Sequence, residues 1–342
     1  MYLQMYFLMF EVIVFLQFSA VGAIKTTGSY WTLKPNVIVV DVDVAQDMDM
    51  IQVPLICGEE FEGTNITWKK NQEELLEASG NQIIVTVEGW KGANYSCYNS
   101  EGSILNHTLV LAQWTFRKII KNTPSKGYIH CSSNNYGGSF KCSWTWGANR
   151  DDQVAVVAHI KVMRSHSESQ ISCSLDPRGQ SITCLDQHYC PYAEEVERIN
   201  LTIYFRSSYV LETYYTEFYI RDIVRPDTVD ISKINQTSVK LDYPNSWNTP
   251  YSYFPLIFQV KEIRCRKSKK CDCSKPNSHE TYLTQNHQLS VTKRMTVCVR
   301  ARDTFCNSPW SEWSHYKCNS RKDRKQRNQE LKLNKMQKFI MH

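Results

Sequence analysis

The stretch "HCSSNNYGGSFKCSWTW", residues 130–146, has the pattern of a β-hairpin that carries a cysteine on each strand. Its centre, "NYGG" (135–138), has turn chemistry, because asparagine and glycine tolerate the backbone angles of tight hairpins. Cys131 and Cys142 can then face each other across the two strands, while Trp144 enters a core. The stretch therefore predicts a disulfide-bridged hairpin within an antiparallel β-sandwich.

The residues before this hairpin carry the pattern of an immunoglobulin sandwich. Such a domain needs a cysteine on each sheet, a tryptophan packed on their bridge and a tyrosine two residues before the second cysteine. Cys57, Trp68, Tyr95 and Cys97 follow that order. A Cys57–Cys97 disulfide closes a loop of about 40 residues, worth roughly 3–4 kcal/mol through chain entropy.

Short runs of alternating or β-branched residues dominate the chain and predict strands at 37–44, 82–87, 154–163, 201–205 and 297–302. A linker, "RDIVRPDTVDI" (221–231), contains Pro226, which interrupts regular structure and sets an elbow. The sequence therefore predicts an all-β fold of three tandem β-sandwiches, with domains at 24–116, 117–224 and 225–318.

The first residues predict secretion. Residues 1–23 are nearly all apolar and end in the small residues "AVGA", which suit signal peptidase, so we interpret them as a removed signal peptide. A retained anchor stays open, because Glu11 and Gln17 interrupt the apolar run. N-glycosylation sequons, which agree with an extracellular location, begin at Asn65, Asn94, Asn106, Asn200 and Asn235.

The chain has 13 cysteines, an odd number. In an oxidising compartment disulfides are the default, so one cysteine is left free or bonds another chain. Cys173, Cys184 and Cys190 form a trio that cannot pair completely within itself. Because Pro191 favours an extended, exposed segment, we choose Cys190 as the odd thiol. A Cys184–Cys190 pair, or a small thiol bound to Cys190, stays open.

The predicted third domain has six further cysteines, whose pairing the sequence does not choose: Cys265, Cys271, Cys273, Cys298, Cys306 and Cys318. Cys265, Cys271, Cys273 and His279 have the residue types of a zinc site. In a secreted chain disulfides are the stronger expectation. We therefore expect neither a metal nor a cofactor.

The formal charge of +6 is concentrated at the end of the chain. Residues 319–342 hold eight Lys or Arg and two acidic residues, so the rest is about neutral. A nucleic-acid-binding protein should carry its basic surface on the fold, so this class is not supported. We expect a disordered tail; heparan sulfate binding by the tail or by the basic loop at 264–273 is left open. No nucleophile elbow, metalloprotease motif or phosphate-binding glycine loop indicates an enzyme.

A hairpin cysteine pair, a Cys-x-Trp and, one sandwich later, "WSEWS" (310–314) together resemble the cytokine-receptor homology module of class I haematopoietic receptors. With an immunoglobulin domain in front, the layout is similar to the interleukin-12 beta-subunit family. The stretches that carry this resemblance are "CPYAEE" (190–195), "FYIRDIVRPD" (218–227), "YPNSWNTPYSYF" (243–254) and "VRARD" (299–303). The resemblance implies that the second and third sandwiches are fibronectin type III-like.

The "WSEWS" motif predicts a ladder of side chains. Arg300 and Arg302 lie two apart on one strand and so point to the same face. Trp310 and Trp313 can interleave with their guanidinium groups, each contact being worth about 0.5–2 kcal/mol. With Ser311 and Ser314, the motif then stiffens the third domain.

The resemblance also implies a partner site at the elbow between the second and third sandwiches. A helical subunit would present an arginine to Asp303, ringed by Tyr136, Tyr253 and Phe305, which are suited to an interface hot spot. The alternatives are that Asp303 pairs with Arg302 or caps a turn, and that Tyr253 or Phe305 is ordinary core. The expected polar rim comprises Glu194 and Glu195.

In the family Cys190 corresponds to an intersubunit disulfide. The resemblance also implies a cysteine near position 291 that pairs with Cys318. This chain has Val291 and no cysteine there, so we expect Cys298 or a loop cysteine to pair with Cys318 instead.

The function implied is a secreted subunit of a heterodimeric cytokine in immune regulation. It binds a four-helix alpha subunit and acts through cell-surface cytokine receptors, without a membrane span of its own. A Cys190-linked homodimer is left open. The alternative function is a soluble class I receptor alpha chain that binds its cytokine reversibly.

Overall fold

The computed structural model describes residues 29–41, 50–88, 92–147, 155–164, 171–192, 194–250, 252–264, 272–274, 281–292 and 295–317. The expected signal peptide, the basic tail, most of the basic loop, and Cys265, Cys271, His279 and Cys318 lie outside these residues. Two compact units are formed by Met1–Arg117 with Arg206–Glu212 and by Lys118–Phe205 with Thr213–His342. The three domain boundaries drawn from the sequence stay predictions.

The first unit contains eight strands among its described residues: β1 (Tyr30–Lys34), β2 (Val37–Asp41), β3 (Met50–Ile56), β4 (Thr67–Lys70), β5 (Glu73–Ser79), β6 (Gln82–Glu88), β7 (Ala93–Tyr98) and β8 (Ile104–Gln113). One sheet has the order β1-β2-β8-β7-β4-β5, and β3 pairs with β6 in the other. A short 3-10 turn, Glu59–Phe61, follows β3.

Strict alternation of side chains builds the core of this unit. In β6, "QIIVTVE", every second residue is buried, as a strand with one solvated face requires. Ile51, Val85 and Val110, from three different strands, belong to one buried cluster that also contains Trp68 and the Cys57–Cys97 disulfide. Residues of both sheets thus enclose a single core.

In the second unit the strands are β9 (His130–Ser132), β10 (Ser139–Ser143), β11 (Val156–Arg164), β12 (Ile171–Leu175), β13 (Ser181–Asp186), β14 (Ile199–Ser207), β15 (Val210–Phe218), β16 (Asp230–Lys233), β17 (Ser238–Asp242), β18 (Leu256–Ile263), β19 (Tyr282–Thr284), β20 (Gln288–Ser290), β21 (Thr296–Asp303) and β22 (Ser314–Lys317). Their sheet orders are β12-β13-β10-β9, β11-β14-β15, β16-β17-β20 and β19-β18-β21-β22.

Aromatic side chains and disulfides fill the core of the second unit. Trp144 packs edge to face on Phe205, with ring centroids 5.1 Å apart. Within the sheet of β9, β10, β12 and β13, disulfides join Cys131 to Cys142 and Cys173 to Cys184. The same buried cluster continues to Phe258 and Val299, on the far side of Pro226 in the sequence. Both sides of the linker therefore share one core.

The linker contains a short helix, α1 (Ile220–Ile223), that the sequence pattern did not predict. Its first turn is held by Asp222, whose carboxylate accepts a hydrogen bond from the Tyr219 backbone N–H at 3.1 Å. The chain is extended again from Val224, before Pro226. A helix of one turn is too short to produce a hydrophobic periodicity that can be recognised in the sequence.

The predicted all-β fold of tandem β-sandwiches is confirmed. The five stretches predicted as strands overlap β2, β6, β11, β14 and β21, with residues 42–44 and 154 outside the described part. In that part no helix has the length and apolar character needed to cross a membrane.

Candidate partner-binding face

Asp303 ends β21, and its side chain is fully buried. Antiparallel pairing with β18 sets it opposite Leu256. The carboxylate accepts hydrogen bonds from the Tyr136 hydroxyl at 2.5 Å and from the Phe305 backbone N–H at 2.7 Å. The Asp303 side chain therefore caps the turn that follows β21, which is one of the two alternatives left open for this residue.

The open acidic pocket expected around Asp303 is closed in this structure. Where the chain is described, Asp303 makes no ion pair, with Arg302 or any other cation. Its carboxylate is bound only by neutral donors, and it has no exposed surface. An arginine from another chain would reach it only after covering side chains have moved.

Tyr136, in the turn between β9 and β10, is buried against the third predicted domain. Its ring makes edge-to-face contacts with Trp247 and Phe254 at centroid distances of 6.0 and 5.8 Å. Burial, with the hydrogen bond to Asp303, raises the pKa of Tyr136 well above its ordinary value. The hydroxyl therefore stays protonated and donates to the carboxylate at all physiological pH values.

Two stacked ring pairs form the exposed layer of the same region. Phe305 is 64% exposed and stacks on Phe254 at 4.4 Å, with the ring planes 4° apart. Tyr253 is 46% exposed and stacks on Tyr192 at 4.7 Å. Neither Tyr253 nor Phe305 is core, so that alternative is excluded. We call the region formed by Tyr136, Tyr192, Tyr253, Phe254, Asp303 and Phe305 the aromatic face.

The expected cysteine of the interface is close in sequence to this face. Cys190 is a free, partly exposed thiol two residues before Tyr192. Cys173 and Cys184 are joined to each other, so the alternative Cys184–Cys190 pair is not formed.

The two glutamates expected on the rim differ in burial. Glu194 is exposed, but Glu195 is only 8% exposed. A carboxylate oxygen of Glu195 lies 3.2 Å from a guanidinium nitrogen of Arg164, which also binds Asp186. The expectation that Glu195 belongs to a solvated rim is therefore wrong. Its burial depends on Arg164, a residue 31 positions earlier that no local pattern connects to it.

A second free thiol, Cys306, lies beside the buried carboxylate. Its backbone N–H donates to Asp303 at 3.4 Å, and burial raises the pKa of its thiol. Cys298 bonds Cys273, which excludes it as the partner of Cys318; the other expectation, that a loop cysteine takes this role, stays a prediction. Because Cys273 is in a disulfide, it cannot also be a ligand of the zinc site considered for the loop cysteines and His279.

The ladder residues are brought together around β21 and the "WSEWS" segment. The Arg300 guanidinium lies 5.0 Å from the centre of the Trp310 ring and 4.6 Å from that of Trp313. Arg302 lies over Trp310 at 4.5 Å. Lys261, which the sequence analysis missed, lies over Trp313 at 4.5 Å.

Backbone and hydroxyl contacts tie the ladder to the rest of the unit. Ser311 donates its backbone N–H to Ala301, and Ser314 donates its hydroxyl to the Val229 carbonyl at 2.6 Å. Arg225 of the linker donates to the Trp310 carbonyl at 2.7 Å. The ladder therefore stiffens the unit from the linker to β22.

The sequon asparagines differ in accessibility. Asn65 and Asn235 are exposed, whereas Asn94, Asn106 and Asn200 are half-buried. The Asn106 side-chain amide donates to the Cys57 carbonyl at 2.6 Å, and that of Asn200 accepts from the Tyr215 hydroxyl. Asn65 and Asn235 are thus the most accessible acceptors.

Comparisons with known proteins agree with this architecture. The family model described as "Cytokine interleukin-12p40 C-terminus" matches residues 126–207, which include Tyr136, Cys190 and Tyr192. The chain is 30% identical to Interleukin-12 subunit beta of Sigmodon hispidus over 329 residues, covering 88% of this chain and 97% of that relative. It is 29% identical to the same subunit of Marmota monax over 317 residues, covering 84% and 93%. For the Homo sapiens subunit the identity is 28% over 330 residues, covering 88% and 97%.

Proposed function

Because the chain belongs to the interleukin-12 subunit beta family, and is therefore a cytokine subunit, we propose that it is secreted and binds a four-helix alpha subunit through the aromatic face. The two chains then act as one ligand for cytokine receptors on the surface of target cells. Cys190 bonds the alpha subunit covalently.

The observation that carries this proposal is the composition of the aromatic face. Tyr253 and Phe305 are large, half-exposed rings already held by stacking partners, so they lose little side-chain freedom when a partner covers them. A buried carboxylate beside them is bound only by neutral donors. Large aromatic side chains are enriched in interface hot spots, and a carboxylate without a cation is complementary to a positive group of a partner.

Asp303 gives the interface its specificity. A guanidinium that reaches this carboxylate can form two parallel hydrogen bonds, a geometry that a lysine cannot reproduce. Opening the site disturbs the contacts of Phe305 and Tyr136, so only a partner with an arginine at the right place compensates for that loss.

Cys190 makes the complex permanent. A secreted factor is diluted far below most dissociation constants, and a disulfide prevents the subunits from separating. Cys190 is suited to this role because it is free and partly exposed and lies next to the Tyr192–Tyr253 stack. Cys306 is less suited, because burial raises the pKa of its thiol and so lowers the reactive thiolate fraction.

The first experiment is a nonreducing peptide map of the secreted protein, coexpressed with a four-helix subunit of the interleukin-12 type. We expect a peptide of that subunit bonded to the peptide that contains Cys190. In a Cys190→Ser variant the linked species should be lost, whereas the matched Cys306→Ser variant should retain it. If Cys190 carries no partner peptide and the chains associate only reversibly, the protein is instead a soluble receptor alpha chain.

The same preparation tests the other proposals. Material recovered from the medium without residues 1–23 supports secretion and signal cleavage, and glycopeptides report on the five sequons. A Cys190–Cys190 peptide would identify a homodimer. Elution from heparin before and after removal of residues 319–342 tests heparan sulfate binding.

A further inference from the structure

The loop between β13 and β14, residues 187–198, carries both Cys190 and Tyr192. A single guanidinium, that of Arg164 at the end of β11, reaches both sides of this loop. Nε and Nη2 donate to Asp186 Oδ2 at 2.9 and 2.5 Å, just before the loop. Nη2 also donates to Glu195 Oε1 at 3.2 Å, and Nη1 donates to the Glu197 carbonyl at 2.7 Å. One side chain thus closes the loop that presents the free thiol.

The three charged groups of this clamp are buried. Side-chain exposure is 9% for Arg164 and 1% each for Asp186 and Glu195. Burial lowers the pKa of Arg164, but hydrogen bonds and charge from Asp186 and Glu195 outweigh it and raise the pKa overall. Loss of the guanidinium would leave two buried carboxylates without their main donor, and such groups do not stay buried unpaired.

Further contacts transmit this arrangement to the loop and to the aromatic face. Asp186 Oδ1 accepts from the His188 backbone N–H at 3.0 Å, and Glu195 Oε2 accepts from the Arg221 backbone N–H at 3.1 Å. The Asp186 N–H donates to the Gly138 carbonyl at 3.0 Å. A Cβ added at Gly138 would lie 2.8 Å from the Tyr189 Cβ, so the loop rests closely on the turn that holds Tyr136.

We propose that Arg164 is a positioning residue for Cys190: its three-way clamp holds the loop so that the thiol meets the cysteine of the partner subunit. This inference rests on the proposed function, because it concerns the same intersubunit bond. In that bond-forming step two thiols give one disulfide, and a disulfide oxidant such as oxidised glutathione takes up two electrons and two protons to become two thiols.

The test uses the full chain with Cys306→Ser, and the state of Cys190 is followed on its own peptide, because the three cysteines outside the described residues cannot all pair with one another. Arg164→Lys keeps the charge but loses the planar fork that reaches three acceptors. Arg178→Lys is the matched control, because Arg178 is an exposed arginine between β12 and β13, outside both the loop and the clamp. If Arg164→Lys fails to fold, Glu195→Gln replaces it, since it removes the negative charge and one of the two acceptor oxygens that bind Arg164 and the Arg221 N–H, and keeps a side chain of the same shape.

Two rates are measured for each variant. The first is the reaction of Cys190 with an aryl disulfide reagent, in which the thiolate forms a mixed disulfide and releases one aryl thiolate. The second is covalent linkage, in a glutathione redox buffer, to the four-helix subunit found by the peptide map. In the clamp variant we expect the reagent to react faster, because the loop is looser. Linkage should be at least about tenfold slower, since misplacement by ~1 Å can cost roughly a hundredfold in rate.

Opposite changes in the two rates distinguish positioning from general loosening, which would raise both. If Arg164→Lys and Glu195→Gln both link at the wild-type rate, the inference is wrong. If the wild-type chain links no partner, the proposed function fails. The reagent rate then decides the inference separately. An unchanged rate in the clamp variants would show that Arg164 does not hold the loop, whereas a faster rate would still support that role.

Discussion

The tryptophan ladder and the aromatic face both combine charges with aromatic rings, but they distribute them differently. In the ladder, the charged groups of Arg300, Arg302 and Lys261 lie 4.5–5.0 Å from tryptophan ring centres. In the aromatic face, the rings stack on each other and the charge is a carboxylate held by neutral donors. The cations of the ladder are thus covered by rings of the same chain, whereas the buried carboxylate of the face has no cation beside it among the described residues.

This difference separates stability from binding. Each ladder contact lies within the chain, so removing one should weaken folding and leave partner affinity unchanged. On the aromatic face the exposed rings contribute little to folding, because water still covers much of their surface. Removing one of them should weaken partner binding far more than folding.

The largest effect is expected for Asp303→Ala. It removes the acceptor of the Tyr136 hydroxyl and of the Phe305 N–H, leaving buried donors without partners. The free energy of unfolding should fall by about 3–5 kcal/mol. Urea denaturation measures this free energy. Asp303→Asn should have a stability between those of the wild type and Asp303→Ala, because an amide oxygen can still accept one hydrogen bond.

Asp242→Ala is the matched control for that measurement. Asp242 is an exposed carboxylate of the same unit that pairs with Lys240 at 2.7 Å. Its removal should change the unfolding free energy by less than about 0.5 kcal/mol. Equal losses for Asp303→Ala and Asp242→Ala would show that the buried carboxylate has no special structural role.

The next effect is on binding. Phe305→Ala should lower affinity for the four-helix subunit by about 2 kcal/mol or more, roughly thirtyfold, while stability changes by less than about 1 kcal/mol. Titration calorimetry in a Cys190→Ser background measures the reversible step. Leu76→Ala, at a 90% exposed position in β5 of the first unit, is the control and should affect neither quantity. Unchanged affinity for Phe305→Ala would remove the aromatic face from the interface.

Local sequence patterns predicted the parts of the molecule that depend on near neighbours. Alternation predicts β6, and the hairpin composition places Cys131 opposite Cys142. The two-residue spacing of Arg300 and Arg302 predicts that they share a face. Trp310 and Trp313 follow these arginines in the sequence after a short loop. The family resemblance, which rests on such local motifs, is confirmed by the relatives.

Contacts between distant residues left no such signal. Glu195 appeared solvated because Arg164, its partner in the fold, is separated from it by β12, β13 and the loop. The stack of Tyr192 on Tyr253 joins a cysteine loop to the third predicted domain, and nothing in either stretch specifies the other. The Cys273–Cys298 bond was likewise one of several equivalent pairings. Such contacts are set by the packing of whole sheets.

A smaller effect is expected in the ladder. Arg300→Ala removes contacts with both tryptophan rings and a hydrogen bond from Nε to the Gln259 side chain at 2.7 Å. The unfolding free energy should fall by about 1–3 kcal/mol, and Arg302→Ala, with one ring contact, should lose about half as much. Partner affinity should be unchanged in both variants. A loss of affinity equal to that of Phe305→Ala would contradict the separation of stability from binding.

The smallest expected effect is the pH dependence of stability that His130 contributes, near Arg225 of the linker. His130 lines a groove with Lys126, Asp222 and Arg225, and Arg225 also holds the Trp310 carbonyl. Burial, then Lys126 and Arg225, lower the pKa of His130 in the folded protein below its ordinary value of 6.5. As the pH falls through about 6.5, the unfolded chain therefore takes up this proton first, and the folded state loses stability until the pH passes the lowered pKa.

His130→Gln removes this titration, so its stability should fall less than that of the wild type between about pH 7 and pH 5. Urea denaturation across that range measures the difference, which water and salt keep small at a half-exposed ring. Lys126→Gln keeps the imidazole and removes one of the two cations, so it should give an intermediate pH dependence. Identical pH profiles for the wild type and His130→Gln would mean that folding does not lower the pKa of His130, and that the cations of the groove do not act on it.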